Sequence, residues 1–270
     1  MGKPVWGVGP LLPEQNWRSA DALIFDEKVR SKRESNVRED EVKDWLDSKS
    51  CGSVIYVSFG TLVSPAEEEL AELANALEEL NRPFIWVVKS HRVGPHPAPG
   101  THGDGDFFLD SFADRTKGRG LVISGWAPQL LILSHPSTAI IISHCGWNST
   151  LEAIGRGIPM LAWPIRGDQP RNAKLLMSHL KVGLSIRAKE DGHTEPVKKA
   201  HILQGIKKLM ADNEIRNRAK SLQCIFDRGF PESSVASLDA LSDLIRKQKF
   251  TSSTKEKIGG DVSSEKQSDK

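Results

Sequence analysis

Residues 54–88 read VIYVSFGTLVSPAEEELAELANALEELNRPFIWVV. The opening VIYVSF (54–59) and the closing FIWVV (84–88) are short runs of branched and aromatic residues, the pattern of strands buried on both faces. Between them Leu70, Leu73, Leu77 and Leu80 recur at helical spacing and share one face. Ser64 is expected as the N-cap of that helix, with Pro65 in its first turn and Glu67 completing a capping box. Two strands joined by a helical crossover form a parallel unit.

On the C-terminal side, residues 121–124, 139–143 (AIIIS) and 159–163 repeat the buried-strand pattern. Helical patterns cover 149–154, 171–179, 197–210, 213–226 and 233–247. The alternation predicts an α/β fold with a doubly wound, Rossmann-like parallel sheet. Residues 91–105 form a Pro/Gly/His-rich insertion, and 251–270 a Ser/Lys/Glu-rich tail; both are expected to be mobile or disordered. Residues 14–44 are polar and charged, with a weak helical signal ahead of Trp45. No internal repeat is present.

A chain of 270 residues with 38% hydrophobic content can bury a full core. With 37 basic and 35 acidic residues the formal charge is +2, and no basic stripe carries interleaved aromatics, which argues against a nucleic-acid groove. Cys51, Cys145 and Cys224 are far apart and odd in number, as expected of free thiols in a reducing compartment. No apolar run reaches the length of a signal peptide or of a membrane span, so the expectation is a cytoplasmic protein.

Ligands of an open parallel sheet bind beyond the carboxyl ends of its strands, where turns and helix starts converge. Two turns fit: VSFGT (57–61) and SHCGWNST (143–150). The second brings backbone N–H groups and the Ser149 hydroxyl to a helix start, with His144 and Asn148 just before it. That arrangement suits a diphosphate without a metal. A hydrogen bond to a charged group contributes roughly 1.5–3 kcal/mol, against about 0.3–2 kcal/mol for the helix terminus, so His144 and Ser149 outweigh the dipole.

Residues 126–169, WAPQLLILSHPSTAIIISHCGWNSTLEAIGRGIPMLAWPIRGDQ, closely resemble the donor-binding signature of plant secondary-product glycosyltransferases, the family 1 UDP-glycosyltransferases. The likeness extends through WLD (45–47), YVSFGT, TKGRGLVISGWAPQ and NAKLLM (172–177), over residues 4–248. It implies the C-terminal domain of a GT-B glycosyltransferase: a lead-in and interdomain linker at 1–50, a donor-binding domain at 51–250 and the tail at 251–270. Trp126 would stack on uracil, with Gln129 and the Ala127 backbone at the base edge. His144, Asn148, Ser149 and Thr61 would hold the diphosphate, and Trp147 would line the sugar pocket. Glu152 would accept from the ribose hydroxyls, and Asp168 and Gln169 from or to those of the sugar. Ala139, Ile141, Arg166 and Gly167 depart from the family's usual residues at their positions.

Each residue also has a plainer role. Trp126 alone reads as a packing aromatic, Glu152 three residues after Ser149 as a capping box, and Asp168 or Gln169 before Pro170 as a helix cap. His144 alone reads as a structural histidine, and Cys145 as packing. Asp104, Gly105 and Asp106, near His91, His96 and His102, resemble the DxD metal motif of another glycosyltransferase fold, but the insertion's composition favours a solvated loop. A dinucleotide oxidoreductase would need G-x-G-x-x-G at a strand-to-helix turn, and none is present.

The resemblance implies transfer of a hexose, with Gln169 favouring glucose, from its UDP conjugate to a hydroxyl of a small lipophilic acceptor. The reaction would invert the anomeric centre and need neither metal nor other cofactor. The family's general base is a histidine near the start of an N-terminal domain, and none of the eight histidines here matches it. The chain is therefore expected to hold the donor site and lack the acceptor-activating domain. The alternative is a relative that binds nucleotide sugar without turnover. Apolar surface left on the cleft wall and on helix 233–247 is expected to favour self-association.

Overall fold

The computed structural model describes residues 6–7, 35–88, 111–186, 196–225 and 232–259. The start of the lead-in, the insertion with its DxD-like run and histidines, and the end of the tail lie outside the described residues.

Six strands form one parallel sheet: β1 (Val54–Ser58), β2 (Phe84–Val88), β3 (Gly120–Ser124), β4 (Thr138–Ser143), β5 (Met160–Ala162) and β6 (Gly183–Ser185), in the order β3-β2-β1-β4-β5-β6. The chain winds outward from β1 to β3, returns beside β1 as β4, and winds the other way. Ser58 is in register with Ser143, so the switch of direction falls between the two turns singled out above. All five residues of β1 are buried, because helices cover both faces. Val54 and Tyr56 enter one apolar cluster, Ile55 and Val57 the other, as alternation along a strand requires.

One face carries α1 (Glu39–Asp47), α3 (Gln129–Ser134) and α4 (Trp147–Gly155). On the other lie α2 (Glu67–Leu80) and α6 (Lys199–Ala211); α7 (Asn213–Gln223) begins there with Ile215 and crosses to the first face, where Ala219 packs near α4. Leu73 and Leu77 of α2 are fully buried, with Leu70 and Leu80 at the margin. Its start differs from expectation. Ala66, not Ser64, is the N-cap, and Glu69, not Glu67, accepts from the Ala66 N–H at 3.3 Å. Glu69 prevails because its carboxylate also accepts from Val197 N–H at 2.9 Å, anchoring the start of α6.

From Ser35 onward the expected lead-in is part of the fold. Asn36 donates to the Val122 carbonyl and accepts from Ser124 N–H, extending the β3 edge, and Val42 and Leu46 on α1 are fully buried. The helix expected over 171–179 begins earlier as α5 (Gln169–Lys174) and widens into a π-helical turn, Leu175–Leu180, ended by left-handed Lys181. The last helix, α8 (Glu232–Gly259), runs past Lys247 into the stretch expected to be mobile or disordered. Residues 251–259 (TSSTKEKIG) contain no proline, so nothing in them stops a helix already nucleated upstream. Among the described residues no helix is long and apolar enough to cross a membrane.

Candidate functional site

The turn after β1 runs Phe59, Gly60, Thr61, with Gly60 at φ +69°. Thr61 is exposed beside it. Phe59 is buried, its ring 5.4 Å from that of Trp163 in an edge-on contact that fixes the strand end across the sheet.

After β4 the chain turns sharply at Cys145, which has φ +61°, a region that costs a residue with a side chain. Two bonds stabilise it: Cys145 N–H donates to Ser143 Oγ at 3.1 Å, and its carbonyl accepts from Asn172 Nδ2 at 2.9 Å. The Cys145 thiol is buried, and burial pushes it up to about 12, so it is a packing group, as expected.

Gly146 follows as the N-cap of α4, in extended conformation. The first intrahelical bond joins Thr150 N–H to the Gly146 carbonyl at 2.9 Å. By helix geometry the N–H groups of Trp147, Asn148 and Ser149 come before that bond and point out of the helix end. Trp147 is 44% exposed and Asn148 is exposed, whereas Ser149 is buried. Because α4 starts at Trp147, Ser149 and Glu152 lie within the helix and do not form a capping box.

Glu152 and Ser149 instead meet Gln129. The chain leaves edge strand β3 at Gly125, passes half-buried Trp126, and turns at Ala127, whose carbonyl accepts from Gln129 N–H at 2.8 Å. This path carries Gln129 past β2 to the centre of the sheet. There Gln129 Nε2 donates to Glu152 Oε2 at 2.6 Å and to Ser149 Oγ at 3.0 Å, and its Oε1 accepts from the Tyr56 hydroxyl at 3.0 Å. Burial raises the Glu152 carboxyl above the ordinary range, opposed by the Gln129 bond and the Arg156 charge. The buried Tyr56 hydroxyl is likewise pushed up by desolvation.

The third contributor is the loop after β5. Gln169 is buried and its Oε1 accepts from both Ile165 N–H and Arg166 N–H at 2.9 Å, which leaves its Nε2 as the donor end. Asp168 occupies the N-cap position of α5 without capping it; its Oδ2 accepts from Asn172 Nδ2 at 2.9 Å. Neither residue is thus the plain helix cap.

The structure therefore brings Gln129, Ser149 and Glu152 into direct contact, seats His144 against the β1 turn, and links Asp168 to Cys145 through Asn172. Trp126, Ala127, Thr61, Trp147 and Asn148 lie on the same carboxyl edge of the sheet, in the turns that carry those residues. Two contributors escaped the sequence reading. Both begin segments of the family likeness, YVSFGT and NAKLLM, but no role was read for Tyr56, a polar group in an apolar strand, or for Asn172, four residues after Asp168.

The UDP-glucoronosyl and UDP-glucosyl transferase family matches residues 23–228. Scopoletin glucosyltransferase of Nicotiana tabacum is 35% identical over 260 residues, covering 94% of this chain and 51% of that protein. The structure of Glycyrrhiza uralensis UGT73P12, complexed with glycyrrhetinic acid 3-O-monoglucuronide, superposes with a TM-score of 0.73 at 31% identity, over 94% of this chain and 51% of the other. Phytolacca americana UGT2, complexed with UDP-2-fluoro-glucose and pterostilbene, gives 0.64 at 33% identity, over 89% and 48%. The chain spans about half the length of the curated relatives it matches. On the family match and the shared parallel fold together, it belongs to the plant family 1 UDP-glycosyltransferases and corresponds to their C-terminal half.

Proposed function

We propose that this chain binds a UDP-hexose, preferably UDP-glucose, at the carboxyl edge of its sheet, and serves its transfer to a hydroxyl of a small lipophilic acceptor with inversion. The observation that carries this reading is the Gln129–Ser149–Glu152 cluster beside the start of α4, with His144 seated in the adjoining turn. In this reading α1 belongs with the donor-binding unit, since Val42 and Leu46 enter its core.

In this reading Trp126 stacks on the uracil, with Gln129 and the Ala127 backbone at the base edge, and the ionised Glu152 accepts from the ribose hydroxyls. Thr61, His144, Asn148, Ser149 and the N–H groups at the helix start face the diphosphate. As the glycosidic bond breaks, charge gathers on the leaving UDP, and donors already in place stabilise it where a metal does so in other transferases. Trp147 borders the sugar, Asp168 accepts from its hydroxyls, and Gln169 donates to them through Nε2. No residue of this chain is assigned as the acceptor's general base.

The half-length match to the relatives keeps a second reading in play, donor binding without turnover. A melting shift on adding UDP-glucose is expected under both, since a ligand that binds only the folded chain stabilises it. His144→Ala and Glu152→Ala should each remove most of that shift, and an undiminished shift in both variants refutes the site. Glucose transfer to a phenolic acceptor distinguishes the transferase from the binding module.

A further inference from the structure

Asn172 has no role in the site as proposed so far, yet it is buried and both hydrogens of its side-chain nitrogen are committed. One goes to the carbonyl of Cys145 and the other to Oδ2 of Asp168, each at 2.9 Å. These acceptors lie on different turns. Cys145 is the left-handed residue on which the β4 turn pivots before α4, and Asp168 belongs to the loop after β5. Helix spacing explains the reach to Asp168, four residues earlier, but not the reach to Cys145. Nor does Asp168 need Asn172 as a helix partner: its carboxylate sits at the N-cap position of α5 and forgoes the cap bond.

We propose that Asn172 is a positioning residue that couples sugar recognition to the diphosphate turn, its amide nitrogen holding the Asp168 carboxylate and the Cys145 backbone in one fixed geometry. The proposal rests on the donor-site reading given above. With Oδ2 of Asp168 held by Asn172, the carboxylate presents Oδ1 to the ligand in a set orientation. With the Cys145 carbonyl held, the strained turn keeps the N–H groups of α4 aimed at the diphosphate. A ligand with a hexose uses both consequences, whereas one ending at the β-phosphate uses only the second.

The test is calorimetric titration of the full chain with UDP and with UDP-glucose, for the unsubstituted protein and Asn172→Ala, each also in an Asp168→Ala background. Asn172→Ala should raise the Kd for UDP-glucose about tenfold, the effect of one charged hydrogen bond, and the Kd for UDP by clearly less. In the Asp168→Ala background the same substitution should leave the ratio of the two constants unchanged. Equal weakening of both ligands, an unaltered ratio, or the same change of ratio without Asp168 overturns the coupling. If Asn172→Ala folds poorly, Asn172→Asp, of equal volume but turning an acceptor oxygen toward both partners, must show the change of ratio. Failure of the unsubstituted chain to bind either nucleotide overturns the donor site itself, an outcome separate from an unaltered ratio in a chain that binds.

Discussion

A β-carbon on Gly60 would lie 2.8 Å from Cε1 and 2.9 Å from Nε2 of His144. The turn after β1 is thus seated on the imidazole that opens the turn after β4, and a methyl group on Gly146 would strike the same ring. The histidine ring thus lies between two glycines at which a β-carbon would collide with it.

Gly60→Ala is therefore expected to abolish UDP-glucose binding and to cost about 1–3 kcal/mol of stability, since alanine must also adopt the positive φ. Adding His144→Ala should recover part of the stability by relieving the clash, without restoring binding. Urea unfolding and calorimetry check the two halves. Full binding in the single variant contradicts the packing described.

Glu152 sets a pH dependence with opposite signs for stability and binding. Its carboxyl is raised from 4.5 chiefly by desolvation, so the folded chain holds this proton more tightly than the unfolded one. Its contribution to stability should grow as pH falls from the raised value to 4.5, and flatten below. Donor affinity should fall over the same interval, because the protonated carboxyl is a poorer acceptor for the ribose hydroxyls. Glu152→Gln should remove that stability gain and the titration of affinity; Tm and Kd measured across the acid range decide it.

Tyr56→Phe removes the hydroxyl that fixes the Gln129 amide and leaves the buried ring in place. A loss of about 1 kcal/mol in stability is expected from one hydrogen bond. Weaker UDP binding should accompany it, because the Gln129 amide keeps its bonds to Ser149 and Glu152 but loses the partner that fixes its oxygen end. Unchanged affinity shows that Gln129 is oriented by those two partners alone.

Glu69→Ala tests the fold apart from the site. The substitution deprives the buried Val197 N–H of its acceptor, so a loss of about 2–3 kcal/mol is expected in urea unfolding. Glu69→Gln keeps a carbonyl oxygen for Val197 and should lose about 1 kcal/mol, mainly at the weaker Ala66 contact.

The parallel sheet was legible because strands buried on both faces leave uninterrupted apolar runs, as in VIYVS and FIWVV, where the expected and observed strands nearly coincide. β6 was not, since three residues, Gly183–Ser185, carry no period. The start of α2 was misplaced because local capping rules cannot foresee that Glu69 is drawn toward a residue far along the chain, Val197. The same limit applies at the candidate site. Strand-end turns and the family signature pointed to Gln129, Ser149 and Glu152 individually. Their mutual hydrogen bonds depend on a loop that crosses from the sheet edge to its centre, and only the tertiary fold reveals that path.

The neighbouring positions of β1 and β4 have a consequence for the order of events during synthesis. Two intervening strands and their connections must emerge and be set aside before Ser143 can align with Ser58, so this pairing is among the slower ones to form. The turns after β1 and β4 meet only when that alignment is made, and the loop bearing Asp168 and Gln169, which follows β5, joins them later still, so the proposed nucleotide site would be assembled in two stages of a growing chain.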